Sequence, residues 1–198
     1  QGYINLAGKK LFEKRLDDLF TVELPDDIPG AHDIQGRIGG YWHGNEPCHH
    51  IAYLYNYLGK PWKCQKWIRE IVARFYGNEP GSLSGNDDCG QMSAWYMFAA
   101  MGFYPVCPGT PYYLLASPSF PSFTLNLENG NTFTVKARNA SQKNIYIQSA
   151  TLNGKPYTRN YITHQDIVNG GVMEFVMGDE PNKEWGAGAE NCPPEVMK

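Results

Sequence analysis

The hydrophobic repeat of this chain changes once, near Pro105, and that change limits what the chain can fold into. Ahead of it, apolar residues recur at about 3.6-residue spacing, the period of a helix; behind it they alternate, the period of a strand. Helices and strands segregated in this way do not build an alternating βαβ sheet. They give an α+β molecule or two adjoining units. The pattern predicts helices over residues 1–104, an antiparallel β region over 105–180 and an irregular tail over 181–198 marked by Gly and Pro.

Within the helical part, Leu11, Phe12, Leu16, Leu19 and Phe20 share one face of a first amphipathic helix. Turn residues follow from Glu23 to Gly44. Pro47 then opens an expected helix over residues 47–58, and Gly59 ends it. Gly59-Lys60-Pro61 allows only a tight reversal into a helix over 62–76, forming an αα-hairpin. A fourth helix, over 91–102, is apolar on nearly every face, which predicts burial inside a larger body. Four such helices do not close a bundle, and the chain opens on Gln1 with neither an initiator Met nor a leader pattern. Further helices are therefore expected ahead of Gln1. In the second part, residues 123–127 and 132–135 alternate around Asn129-Gly130, a hairpin signal. More strands are expected at 144–152, 157–163 and 172–177.

Composition narrows the class. With 42% hydrophobic and 19% charged residues, the 198-residue chain is too apolar to stay disordered. Its net charge of −3 and pI near 6.0 exclude the basic footprint of a nucleic-acid binder. No run approaches the roughly 20 apolar residues that span a bilayer. Five cysteines at irregular spacing spell neither a complete disulfide framework nor a zinc ribbon.

Two loops place carboxylates and amides just ahead of a helix: Trp42-His43-Gly44-Asn45-Glu46-Pro47-Cys48-His49-His50 and Gly85-Asn86-Asp87-Asp88-Cys89-Gly90-Gln91. At a helix start an Asp caps free backbone N–H groups. The same donors keep a carboxylate ionised, which suits a general base or a calcium ligand. Asn86, Asp87 and Asp88 offer hard oxygen donors, matched to Ca2+ and not to a soft transition metal. His43, Glu46, His49 and His50 lack the His-Glu-x-x-His spacing of a zinc protease. His49 and His50 read equally as packing or as site residues, and Trp42 as core or as a ring stacked on a sugar. If both loops reach one pocket, Glu46 and Asp88, 42 residues apart, face each other.

The run from Gly85 to Tyr96, followed by Gly102-Phe103-Tyr104-Pro105, strongly resembles family 92 of the glycoside hydrolases, the calcium-dependent exo-acting α-mannosidases. So do Gly44-Asn45-Glu46-Pro47, His49-His50, Tyr53-Leu54-Tyr55-Asn56 and the run 147–157. The resemblance implies that the helices are the C-terminal part of an (α/α)6 barrel and that the activity is inverting hydrolysis of terminal α-mannosides. Carried over by position, it implies Asp88 as general base with Asp87 or Asn86 assisting. Glu46, His49, Asn86 and Trp42 would then surround the sugar, with Glu46 and Asn45 at the calcium ion. The family's general acid is a Glu in an aromatic-rich segment, and no glutamate here has that context. The acid is therefore expected ahead of Gln1, and the isolated chain is expected to be inactive.

The implied partners are mannose-containing glycans and the remainder of the parent polypeptide, with no nucleic acid and no membrane span. The implied location is secreted, periplasmic or cell-surface. A competing expectation is a carbohydrate-binding or structural module without catalysis. That module requires an aromatic platform on the strands, whereas the enzyme requires Glu46 and Asp88 to converge.

Overall fold

The computed structural model describes residues 2–25 and 35–194. Helices α1 (Gly2–Ala7) and α2 (Lys9–Thr21) lead to a short hairpin of β1 (Arg37–Ile38) and β2 (Tyr41–Trp42). That hairpin occupies part of the segment expected as turns, whose residues 26–34 lie outside the described residues. Helices α3 (Pro61–Phe75) and α4 (Gln91–Met101) fall where periodicity placed them. Pro61 sits in the first turn of α3, where its missing N–H has no partner to lose. Phe20 stacks on Trp67 with ring centroids 4.6 Å apart, pressing α2 onto α3. Glu13 and Asp17 reinforce the contact by accepting hydrogen bonds from Lys60 and Lys63.

The α-helix expected over 47–58 is instead two 3-10 stretches, Glu46–Cys48 and Ile51–Leu58. A local cause acts at its middle: the His49 carbonyl accepts the Trp95 indole N–H at 3.1 Å in place of a helical N–H. Gly59 ends the segment at φ 70, where a Cβ would collide with the Ala187 carbonyl, so glycine lets the tail lie on this turn.

The remaining strands are β3 (Phe103–Tyr104), β4 (Tyr112–Leu115), β5 (Ser122–Asn126), β6 (Thr132–Arg138), β7 (Tyr146–Leu152), β8 (Lys155–Pro156), β9 (Tyr161–Thr163) and β10 (Gly171–Gly178). They form a five-stranded sheet ordered β5-β6-β10-β7-β8 and a three-stranded sheet ordered β3-β4-β9. The expected hairpin is β5–β6, with Phe123 opposite Val135. The β region is not purely antiparallel as expected: β10 enters between β6 and β7, antiparallel to β7 but parallel to β6. The cause is α5 (His164–Val168), missed in the sequence, which a Thr163/Asp166 capping box starts. It turns the chain back so that β10 begins beside Phe133 of β6. The strand expected over 157–163 shortens to β9 and joins the smaller sheet, because Asn160 leaves the ladder to donate to the Asn56 and Gly186 carbonyls, each at 2.9 Å.

One core lies among the helices, around Tyr41, Tyr55, Trp67, Ile68 and Trp95; another, with Phe133, Val135, Ile147, Met173 and Phe175, lies against the larger sheet. Buried amides join the two regions: Ile147 N donates to Gln65 Oε1 at 3.0 Å and Asn56 Nδ2 to the Leu115 carbonyl at 2.8 Å. Helix α4 is less enclosed than its composition predicts, since Met97 is 57% exposed. All five cysteines are free thiols.

Candidate functional site

The two loops singled out in the sequence meet backbone to backbone. A Cβ on Gly85 would lie 3.2 Å from the Gly44 carbonyl, so the approach depends on glycine. Gln35 joins both loops: its carbonyl accepts from Gly44 N and its side-chain Oε1 from Gly85 N, each at 3.0 Å.

Asp88 (φ 45), Cys89 (φ 59) and Gly90 (φ 92) are three successive left-handed residues at the entrance to α4. That conformation costs an L-residue roughly 1–2 kcal/mol. Asp87 holds the turn. Its carbonyl accepts from Gly90 N at 3.1 Å and Met92 N at 3.3 Å, while its Oδ1 accepts from Ser93 N at 2.9 Å. Asp87 thus caps α4, and the left-handed run leaves Asp88 facing Glu46.

The carboxyl groups of Glu46 and Asp88 share a hydrogen bond. That bond holds Glu46 below and Asp88 above their ordinary carboxylate values, and the charge of Glu46 raises Asp88 further. Glu46 Oε1 is shielded from solvent and has no hydrogen-bond partner. An orphan carboxylate oxygen is placed to receive a cation or a hydroxyl donor. Asn45, Asn86, Asp87 and Asp88 are exposed on the same loops.

Behind the carboxylates lies a buried ring cluster. His43 Nδ1 is 2.9 Å from Tyr41 Oη, and Nε2 is 2.6 Å from Tyr76 Oη, which donates to the Met92 carbonyl at 3.2 Å. Tyr76 spends its one proton on that carbonyl, so His43 donates from Nε2 and accepts from Tyr41 at Nδ1. Burial first, and His49 second, push the His43 pKa down to about 3. His49 is 2% exposed, with Nε2 3.0 Å from the His43 carbonyl and Nδ1 3.2 Å from Gln91 Nε2. His50 is exposed, and Trp42 is half-buried on β2.

The structure therefore brings Glu46 and Asp88 together, sets Asp87 beside them as a cap and seats His49 behind. Sequence reasoning missed Gln91 and Tyr76, and took Tyr41 for a ring that could stack on a sugar, whereas it is buried against His43. Gln91 stood inside the loop motif with nothing but position to mark it, and Tyr76 reads only as one more aromatic at the end of a helix. On the strands, Tyr112, Tyr113, Phe123 and Tyr146 are half-buried.

Residues 1–179 match the glycosyl hydrolase family 92 catalytic domain. A family 92 α-mannosidase from Bacteroides thetaiotaomicron, solved in complex with mannoimidazole, is 61% identical with a TM-score of 0.95, over 98% of this chain and 26% of its own. A family 92 inverting mannosidase from Bacteroides thetaiotaomicron VPI-5482 is 38% identical with a TM-score of 0.81, over 94% of this chain and 26% of its own. An uncharacterized secreted glycosidase of Arthroderma benhamiae is 38% identical over 194 residues, 96% of this chain and 23% of its own length. The chain spans about a quarter of the length of these relatives. With nine-tenths of its residues inside the family's catalytic domain and the motif loops joined as described, the chain belongs to glycosyl hydrolase family 92.

Proposed function

We propose that this chain contributes the general-base side of the active site of an inverting, calcium-dependent exo-α-mannosidase that removes terminal mannose from glycans. The observation that carries this reading is the contact between Glu46 and Asp88, two carboxylates 42 residues apart in sequence. Support comes from relatives that are an inverting mannosidase and a mannosidase solved with mannoimidazole.

In this reading Asp88 accepts a proton from the water that attacks the anomeric carbon. Asp87, by capping α4, fixes the backbone from which Asp88 projects, and Asn86 hydrogen-bonds sugar hydroxyls from the same exposed loop. Trp42 offers a ring face to the pyranose, and His49 supports the loop that carries Glu46. Glu46, with its orphan Oε1, and Asn45 would hold calcium. Among the described residues no group of three or more His, Cys, Asp or Glu gathers as a metal site, and in this reading amide and sugar oxygens help to complete the shell. Their hard-oxygen character fits that requirement. Calcium bound there would supply positive charge for sugar hydroxyls and would favour the ionised carboxylates.

The helices of residues 1–104 belong, in this reading, to an (α/α)6 barrel completed by the rest of the polypeptide, which also brings the general acid. In this reading the location is secreted, periplasmic or cell-surface, and the description of the Arthroderma relative as secreted supports export. No described helix is long and apolar enough to cross a membrane.

Asp88→Asn in the full-length enzyme tests the assignment. Asn tolerates the left-handed backbone, so the fold should persist while kcat falls by about 10²–10⁴. Hydrolysis near the wild-type rate refutes Asp88 as the base.

A further inference from the structure

Two hydrogen bonds run from α4 back to the residue that closes the first loop. Trp95 Nε1 donates to the His49 carbonyl at 3.1 Å, and Gln91 Nε2 lies 3.2 Å from His49 Nδ1. The His43 carbonyl, 3.0 Å from His49 Nε2, can only accept, so Nε2 carries the ring proton and Nδ1 offers a lone pair. Gln91 is therefore the donor to His49, and the same amide nitrogen reaches Tyr104 Oη at 3.4 Å. Both nitrogens of the His49 ring are spent inside the protein, and the ring is buried.

The placement of this bond is informative. His49 stands three residues after Glu46, and Gln91 three residues after Asp88. Gln91 is also the first residue after the left-handed run, so an anchor on its side chain fixes the point at which that run ends. The Gly44–Gly85 approach fixes the other side of the same pair of loops. Beside Gln91, the loops are joined by the Gln35 side chain at Gly85 and by the Trp95 indole one turn further along α4, so Gln91 is the side-chain link nearest the end of the strained turn.

We propose that Gln91 is a positioning residue: clasped on His49, it holds the 85–91 loop against the 42–50 loop at the separation at which Asp88 faces Glu46. This rests on the reading of Asp88 as the base. Gln91 touches no substrate; it acts through the placement of Asp88, and displacement of a reacting group by about 1 Å can cost on the order of 100-fold in rate.

The experiment uses the full-length enzyme and an aryl α-mannoside. Gln91→Met removes the donor while keeping side-chain length. His49→Gln keeps a donor toward His43 but loses the acceptor toward Gln91, whereas His49→Asn keeps that acceptor. Gln91→Met and His49→Gln should each lower kcat by about tenfold or more with KM changed by less than about threefold. The double variant should be no worse than the poorer single, because both remove one interaction. His49→Asn should retain kcat within about threefold of wild type. The proposal is overturned if Gln91→Met keeps wild-type kcat, if its loss falls on KM, or if His49→Asn is as poor as His49→Gln. It is also overturned if the loss follows only a lowered melting temperature and disappears per active site. Asp88→Asn, measured beside these, separates the two layers: an active Asp88→Asn removes the base assignment, while an inactive one with a normal Gln91→Met removes the clasp alone.

Discussion

His43 lies fully buried with each ring nitrogen on a tyrosine hydroxyl. Its pKa, lowered to about 3 from 6.5, means that the folded protein binds fewer protons than the unfolded chain between those values. Stability from this group is fully present above about pH 6.5 and is lost as pH falls through that window, by up to about 1.4 kcal/mol per unit. His49, also lowered chiefly by burial, works in the same direction. In the full-length enzyme, hydrogen exchange of α3 and α4 amides, corrected for intrinsic rates, should show opening free energies that decline from about pH 6 to pH 4. His43→Phe should make that decline shallower by close to one proton. An unchanged slope would show that His43 is charged in the folded state. At this scale the motif loops were legible because they gather Asp, Asn and Glu at helix entrances. The division between Asp87 and Asp88 was not. The two side chains are identical, and only the left-handed φ of Asp88 and the Ser93 N–H on Asp87 separate cap from paired carboxylate.

Helix α4 is the element that organises the site, since its first turn carries Gln91 and its second carries Trp95, and both reach His49. The indole bond also accounts for the 3-10 form of Ile51–Leu58, whose first residues are denied the His49 carbonyl. Trp95→Phe keeps most of the buried ring and leaves that carbonyl without its donor. The expected cost is about 1–3 kcal/mol, the penalty for a buried unsatisfied group, read as a lower denaturation midpoint; a loss below about 0.5 kcal/mol would mean that water or a helical N–H replaces the indole. Periodicity located α3, α4 and the β5–β6 hairpin because each is decided by residues close in sequence. It could not place β10 between β6 and β7. Strand partners are chosen by packing across dozens of residues, here after α5 redirects the chain, and an alternating pattern looks the same in a parallel and an antiparallel neighbour.

For the molecule as a whole, the geometry at Glu46 decides what the chain can do alone. An inverting glycosidase needs an acid and a base roughly 6.5–9.5 Å apart with a water between base and sugar. Glu46 shares a hydrogen bond with Asp88, far inside that separation, so it cannot serve as the acid paired with Asp88. Three further glutamates are held in ion pairs, Glu13 with Lys60 and Lys63, Glu70 with Arg74, Glu174 with Arg138. Relatives about four times as long leave ample chain to bring the acid, and to cover apolar side chains such as Leu6 and Met97, 90% and 57% exposed here. The 198-residue chain, purified and supplied with calcium, should therefore hydrolyse an aryl α-mannoside at least about 10²–10⁴-fold more slowly than the full-length enzyme, the contribution of one acid–base group. Calorimetry with mannose and calcium on the same sample tells a missing acid from a collapsed loop pair: heat of binding without turnover is the outcome expected if Glu46 and Asp88 keep their contact. Turnover at the full-length rate would mean that a carboxyl group of this chain already acts as the acid, and the division of labour proposed for the site would be wrong.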